Sequence, residues 1–325
     1  MSDVLLEVKD LKKYYITKGG LLSGPRREVK AVDGVSFQLR QGEILGVVGE
    51  SGCGKSTLGR TILRLTDATQ GQVIFDGVDL QTLSREELRK KRQEMQIIFQ
   101  DPGASLNPRM TVGELLREPL ELFRPELQGD DQLEEIYRLM DMVGIDRSYL
   151  SRFPHEFSGG QRQRIGIARA LATGPKLVVC DEPVSALDVS VRAQVLNLMD
   201  RLKQEYNLTY LFISHDLSVV HHICTRVAVM YLGRIVELAE KEELYRNPMH
   251  PYTKALLSAI PLPDPTQQRQ RIILQGDVPN PAAPPPGCHF HQRCPCAEAQ
   301  CGTVDPTLRE VRPGHFVACN LVSQG

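Results

Sequence analysis

Gly49-Glu50-Ser51-Gly52-Cys53-Gly54-Lys55-Ser56-Thr57 fits the spacing GxxxxGK[ST] and follows the apolar run Ile44 to Val48. A buried strand is therefore expected to turn sharply into a helix beginning near Lys55. Glycines in this turn let successive backbone N–H groups converge on an anion at the helix N-terminus, where the helix dipole also favours negative charge. In such a phosphate cradle Lys55 reaches the β- and γ-phosphates and the Ser56 hydroxyl holds Mg²⁺. The same stretch taken alone is only a glycine-rich turn, so its meaning depends on what else the chain carries.

The chain has 325 residues, enough for one large α/β domain with an appendage or for two domains. Its 39 basic and 40 acidic residues leave a net charge of -1, so bulk electrostatics do not point to nucleic acid. No apolar run reaches the roughly 18 residues a membrane span needs, and Met1 to Asp10 alternates charge with apolar residues, unlike a signal peptide. A soluble, cytosolic chain is expected. Of eight cysteines, five fall between Cys288 and Cys319, which in a reducing compartment reads as a metal site before a disulfide set.

Val4 to Val8 and Val29 to Leu39 alternate apolar with polar residues, as half-buried antiparallel strands do, with a glycine-rich loop at Gly19 to Arg27 between them. Tyr14 and Tyr15 close the first strand, and an aromatic ahead of a nucleotide site can stack on adenine. After the helix from Lys55 to about Leu65 come short strands near Val73 to Phe75 and Met95 to Phe99, the latter ending in Gln100. From about Asp101 to Pro175 the periodicity is helical. Within that stretch Ser158-Gly159-Gly160-Gln161 opens a further helix through Leu171, with Ser158 as N-cap.

Lys176 to Cys180 is an apolar strand stopped by Asp181-Glu182-Pro183, so both carboxylates sit at its C-terminal lip, where open α/β sheets bind ligands. A solvated acidic strand end is the ordinary reading of Asp-Glu alone, but a phosphate loop needs a second, acidic strand. Asp181 is then placed to hold Mg²⁺ through water and Glu182 to polarise an attacking water. A helix over Val189 to Gln204 and a strand over Thr209 to Ile213 follow, the strand ending in Ser214-His215-Asp216. Val227 to Tyr231 and Arg234 to Leu238 form a hairpin around Gly233; two short helical stretches, Glu240 to Tyr245 and Tyr252 to Ala259, come next. Pro261 to Pro286 is too proline-rich for helix or central strand and reads as a semi-rigid tether to the cysteine-bearing tail.

Together these residues resemble the nucleotide-binding subunit of an ABC transporter: the phosphate loop, Gln100, the signature Phe157-Ser158-Gly159-Gly160-Gln161, Asp181-Glu182, Ser185-Ala186-Leu187-Asp188 and His215 stand in the family's order. Phe157 replaces the more common Leu, exchanging one apolar anchor for another. Asn247-Pro248-Met249-His250-Pro251-Tyr252, Gly287-Cys288-His289-Phe290 and His315-Phe316-Val317-Ala318-Cys319 resemble the C-terminal region of the dipeptide and oligopeptide importer ATPases, and Ala104-Ser105-Leu106-Asn107-Pro108-Arg109 is more similar to the F-type than to the D-type subunit.

The resemblance implies an α/β P-loop NTPase fold with an antiparallel β subdomain, a helical insertion at about 101–175 and a small Cys-rich tail. It divides the chain into a nucleotide-binding domain, 1–260, and a tether plus tail, 261–325. It implies that Gly49, Ser51, Gly52, Cys53, Gly54, Lys55, Ser56 and Thr57 bind ATP with Asp181. Tyr15 stacks on adenine, and Mg²⁺ lies on Ser56 and Gln100. Glu182 is the catalytic base, with Gln100 sensing water and His215 the γ-phosphate. A partner subunit's Ser-Gly-Gly-Gln helix closes each site head to tail, this chain's Ser158, Gly159, Gly160 and Gln161 serving the partner's nucleotide in return. The implied partners are a paralogous ATPase, two integral membrane permease subunits and an extracytoplasmic substrate-binding protein, with this chain peripheral on the cytoplasmic face of the membrane. Cys288, Cys294, Cys301 and Cys319 match recurring tail positions; their spacing does not decide between metals, but the resemblance favours an iron–sulfur cluster, [4Fe–4S], over Zn²⁺, with unligated thiols as the third alternative. The substrate expected is a peptide; nickel, glutathione, or a soluble ATPase outside transport are the alternatives.

Overall fold

A computed structural model describes residues 3–17, 27–260 and 271–322. The glycine-rich loop expected before Arg27 and the start of the tether, 261–270, lie outside the described residues. In chain order the elements are β1 (Val4–Thr17), β2 (Arg27–Arg40), β3 (Ile44–Val48), α1 (Lys55–Ile62), β4 (Gln70–Phe75), β5 (Val78–Asp79), α2 (Arg85–Lys91) and β6 (Met95–Ile98). Four helices follow with no strand between them: α3 (Pro102–Ser105), α4 (Val112–Phe123), α5 (Gly129–Met142) and α6 (Gly159–Leu171). Then come β7 (Leu177–Asp181), α7 (Val189–Tyr206), β8 (Thr209–Ser214), α8 (Leu217–Ile223), β9 (Arg226–Tyr231), β10 (Arg234–Glu240), α9 (Lys241–Arg246) and α10 (Pro251–Ser258). The tail ends in a hairpin of β11 (Arg309–Arg312) and β12 (His315–Val317).

The chain divides into two compact units, one made of Met1–Leu39, Ile44–Gln81 and Ser214–Gly325, the other of Arg40–Glu43 and Thr82–Ile213. In the first, β2, β1, β4 and β5 form an antiparallel sheet in that order. Leu6 stands opposite Phe75 and Val8 opposite Val73, and all four are buried, so the alternating pattern of β1 does place its apolar face inward. β1 runs well beyond the expected Val4 to Val8 because charged residues such as Lys12 are tolerated in an antiparallel strand with one face toward solvent, whereas β2 matches the expected Val29 to Leu39 to within two residues at either end. A second set of strands pairs β3 parallel to β9, β9 antiparallel to β10, and β10 through β12 to β11. Every residue of β3 is buried, which explains its unbroken apolar run. Leu232 and Gly233 both have positive φ, 41° and 81°, and make the tight turn between β9 and β10, whose twist suits such a two-residue loop.

A buried carboxylate ties the tail into this unit. Glu237 on β10 is fully buried and accepts hydrogen bonds from the backbone N–H of Met249 (2.7 Å) and of His250 (3.0 Å) and pairs with His315 Nε2 on β12 (2.7 Å). Its burial is tolerated because both side-chain oxygens have hydrogen-bond partners. His250 in turn caps α10, its Nδ1 accepting from the Tyr252 N–H at 3.1 Å, and burial pushes its pKa down to about 4. Val311, Val317 and Cys319 form a small core with Met249, Leu321 and Val322 packed against it.

In the second unit β6, β7 and β8 are parallel, with Ile98 opposite Cys180 and Asp181 opposite Ile213. Helices α4, α5 and α6 contact one another and bury Leu115, Leu116, Leu120, Ile136, Leu139 and Met140. Thr111 and Glu114 close a capping box at the start of α4. Helix α2, which sequence periodicity did not reveal, begins with a similar box between Ser84 and Glu87. Among the described residues no helix is long and apolar enough to cross a membrane.

Candidate active site

The phosphate loop leaves the buried end of β3 and enters α1 in one turn. Gly49 has φ 154° and Gly54 φ 105°; a Cβ on Gly49 would lie 2.1 Å from the Met230 carbonyl oxygen, and one on Gly54 1.9 Å from that of Ala31. No L-residue with a side chain fits either place, which is the physical content of the glycine spacing. Lys55 is only 4 % exposed. Its Nζ donates to the carbonyl oxygens of Gly49 (2.7 Å) and Glu50 (3.0 Å), so the ammonium is held inside the loop it would use to grip phosphate. Cys53 is buried with its Sγ 3.8 Å from Lys55 Nζ, and burial pushes its thiol pKa up, which keeps it protonated beside the lysine. Ser56 and Thr57 occupy the first turn of α1, and Ser51 and Gly52 the exposed bend ahead of it.

In the second unit the signature stretch forms as its sequence predicts. Ser158 is the N-cap of α6, its hydroxyl accepting from Gln161 N–H (3.3 Å) while the Gln161 side-chain oxygen accepts from Ser158 N–H (3.0 Å). Gly159 and Gly160 are the first helical residues, and a Cβ on Gly160 would lie 2.3 Å from Val191 Cγ1 on α7. Phe157 is buried and packs edge-on against Tyr149, and its carbonyl accepts from Arg162 Nε (2.9 Å). The expected apolar anchor is thus filled.

At the end of β7, Asp181 is buried, 2 % exposed, and Glu182 turns out of the strand with φ +49°. That left-handed backbone costs a non-glycine residue about 1–3 kcal/mol. Neighbouring hydrogen bonds impose it: Glu182 N–H donates to Ile213 O (3.0 Å), and Glu182 O accepts from Ser185 N–H (3.2 Å) and Ser185 Oγ (3.1 Å). The turn carries the Glu182 carboxylate to Gln100, whose Nε2 donates to Glu182 Oε2 at 3.0 Å. Two candidates 82 residues apart in sequence are thereby joined. Asp188 N-caps α7, accepting from Val191 N–H at 3.0 Å.

His215 is exposed directly after β8. Tyr15 is 42 % exposed with the Lys13 ammonium 4.9 Å over its ring, whereas the Tyr14 hydroxyl is committed to Asp33. Of the two aromatics, Tyr15 keeps a ring at the surface.

The cysteine tail departs from its expected chemistry. Cys288 and Cys294 are half-buried, Cys301 and Cys319 buried, and Cys296 exposed. Cys288 N–H donates to Cys301 O at 2.9 Å, so the segment folds back on itself through the backbone. Yet among the described residues no three His, Cys, Asp or Glu side chains are grouped to hold a metal ion. Burial raises the Cys288 thiol pKa and pushes that of Cys294 up to about 11, with smaller contributions from Cys301 and Cys319 beside Cys288 and from Cys296, Cys288 and Cys319 beside Cys294. The four cysteines are electrostatic neighbours, but as placed they are not drawn together into a ligand set for a cluster or a zinc ion.

Sequence reading missed Arg293 and Tyr252 as contacts of the phosphate loop. Both lie in the quoted C-terminal region or beside it, but nothing local in either segment says which distant loop it will touch. Arg293 forks onto the Glu50 carboxylate, and the Tyr252 hydroxyl accepts from Glu50 N–H at 2.9 Å.

Comparison with known proteins agrees with this arrangement. Residues 32–185 match the ABC transporter family and residues 236–301 the oligopeptide/dipeptide transporter, C-terminal region. The oligopeptide transport ATP-binding protein AppF of Bacillus subtilis is 55% identical over 325 residues, spanning 99% of this chain and 98% of that protein. The oligopeptide transport ATP-binding protein OppF of Salmonella typhimurium is 52% identical over 320 residues, spanning 97% and 96%. Among solved structures, the dimeric post-hydrolysis state of the ATP-binding cassette MJ0796, bound to ADP and Pi, is similar with a TM-score of 0.65 at 28% identity, covering 73% of this chain and 98% of that one.

Proposed function

As the chain belongs to the ATP-binding subunits of the oligopeptide ABC transporters, we propose that it hydrolyses ATP to drive import of peptides through a membrane complex. The observation that carries the hydrolytic reading is the Gln100–Glu182 contact at the lip of a parallel strand, on a backbone that the surrounding hydrogen bonds hold in a costly conformation. Near full-length similarity to proteins named for oligopeptide transport supports peptides over nickel or glutathione, and transport over a free-standing ATPase. The names AppF and OppF support the F-type reading.

In this reading Lys55 and the loop glycines bind the β- and γ-phosphates, and Tyr15 stacks on adenine. The Ser56 hydroxyl and the Gln100 side-chain oxygen are hard donors of the kind Mg²⁺ takes, with Asp181 acting through water. Bound Mg²⁺ supplies charge neutralisation on the phosphates. Gln100 and Glu182 orient the attacking water; as its oxygen bonds the γ-phosphorus and the bond to the β–γ bridging oxygen breaks, Glu182 takes the water's proton. His215 steadies the γ-phosphate. Ser158, Gly159, Gly160 and Gln161 serve a nucleotide held by a second ATPase subunit, so hydrolysis depends on closure of a head-to-tail pair. The partner is a paralogue, and the pair sits on two permease subunits at the cytoplasmic face, supplied by an extracytoplasmic binding protein. Residues 1–260 act as the nucleotide-binding domain, with the helices of 101–175 facing the permeases, and 261–325 as tether and tail.

In the assembled transporter, Glu182→Gln should lower the ATPase rate by roughly 10²–10⁴-fold while ATP still binds; an unchanged rate would sink the assignment of the base. The cluster reading of Cys288, Cys294, Cys301 and Cys319 rests on thiol number and family position, and requires those side chains to converge from where they stand. An anaerobic preparation absorbing near ~400 nm is its expectation, and a colourless one removes it.

A further inference from the structure

Glu50, the second residue of the phosphate loop, is an acid in a place built for anions. Its carboxylate has no part in the cradle's own chemistry, and an unpaired negative charge there would repel a nucleotide's phosphates. The tail answers it. Arg293 Nη1 and Nη2 reach the two Glu50 carboxylate oxygens at 2.7 and 3.0 Å, a bidentate pairing in which the arginine side chain is only 8% exposed. Tyr252 holds the Glu50 N–H, and the Glu50 carbonyl receives Lys55 Nζ at 3.0 Å. All three polar groups of this residue are engaged, two of them by the C-terminal region. Phe290, three residues before Arg293, packs at 5.4 Å on Tyr252 and 5.3 Å on Tyr231, so an aromatic cluster fixes where the guanidinium stands.

We propose that Arg293 is a positioning residue for nucleotide binding, the countercharge that acts through Glu50 and makes ATP affinity depend on a seated C-terminal tail. The proposal rests on the nucleotide-site reading above and adds to it a residue from outside the phosphate loop. Loss of Arg293 leaves a bare carboxylate beside the phosphates; loss of the Glu50 charge removes the need for Arg293.

The test is calorimetric titration of the full-length chain with Mg-ATP, together with KM and kcat in the assembled transporter. Arg293→Ala should weaken ATP binding about tenfold and raise KM with kcat held, the direction expected when a carboxylate of the phosphate loop loses its countercharge. Glu50→Gln alone should tighten binding. Glu50→Gln placed in the Arg293→Ala background should restore most of the lost affinity. If Arg293→Ala leaves affinity unchanged, or if the double variant is as weak as the single one, Arg293 is no countercharge and the proposal falls. Lys55→Ala run alongside separates the two readings: ATP binding that survives its loss defeats the nucleotide site itself, whatever Arg293 does.

Discussion

Two helix starts in this chain are candidates for phosphate, and they are built in opposite ways. At α1 the N-cap is Gly54, in the left-handed region, with no side chain capping the helix; at α6 it is Ser158, in extended conformation, closing a reciprocal box with Gln161. Neither helix has an acidic residue in its first turn, so both keep the positive end of the dipole uncompensated. The α1 end has no side chain to complete it and carries its own lysine. The α6 end is already stable alone and presents its first turn without a cation of its own in the Ser158–Gln161 motif. On the function proposed above, this difference suits a primary site at α1 and, at α6, a clamp that engages a partner's nucleotide.

The sharpest way to break this contrast is to remove the lysine. Lys55→Ala should reduce ATPase activity and transport by roughly 10²–10³-fold or more, measured in the assembled complex, with little change in fold because the lost partners are two loop carbonyls. Next comes the clamp's packing. Gly160→Ala should lower the unfolding free energy by about 1–3 kcal/mol, since its Cβ meets Val191, while Gly159→Ala, whose nearest neighbour would be Leu187 Cδ2 at 3.6 Å, should be neutral or slightly stabilising in thermal melts. The smallest effect is expected at the cap: Ser158→Ala should cost about 1 kcal/mol by the same measurement. A much larger loss there would mean that α6 is not self-sufficient and that the two ends are more alike than their geometry suggests.

The parts legible in the sequence were those with a local cause. Ser158 and Gln161 are three residues apart and carry their own hydrogen-bond logic; Ile44 to Val48 is apolar because both faces are covered; Gly233 marks a turn that needs positive φ. What could not be read were pairings set by the fold. Arg293 and Glu50 are separated by 243 positions, and either charge alone reads as a solvated surface residue. His250 and His315 were visible only as part of a resemblance, and the reason for both, the buried Glu237, looks in the sequence like one more polar residue on a hairpin. The cysteines show the reverse case. Their number suggested a ligand set, and the fold does bring Cys288, Cys294, Cys301 and Cys319 into one neighbourhood, but among the described residues it does not close them into a metal-holding group.

The left-handed backbone at Glu182 has a consequence for how the protein can change over time. Glycine would occupy φ +49° without that local strain and asparagine with less of it, so the backbone at this position favours either over glutamate. On the role proposed for Glu182, the same exchange silences the chemistry. A selection that rewards only yield or heat resistance would therefore drift toward well-behaved, inert proteins at this one codon, and only a screen that demands turnover would keep the acid in place.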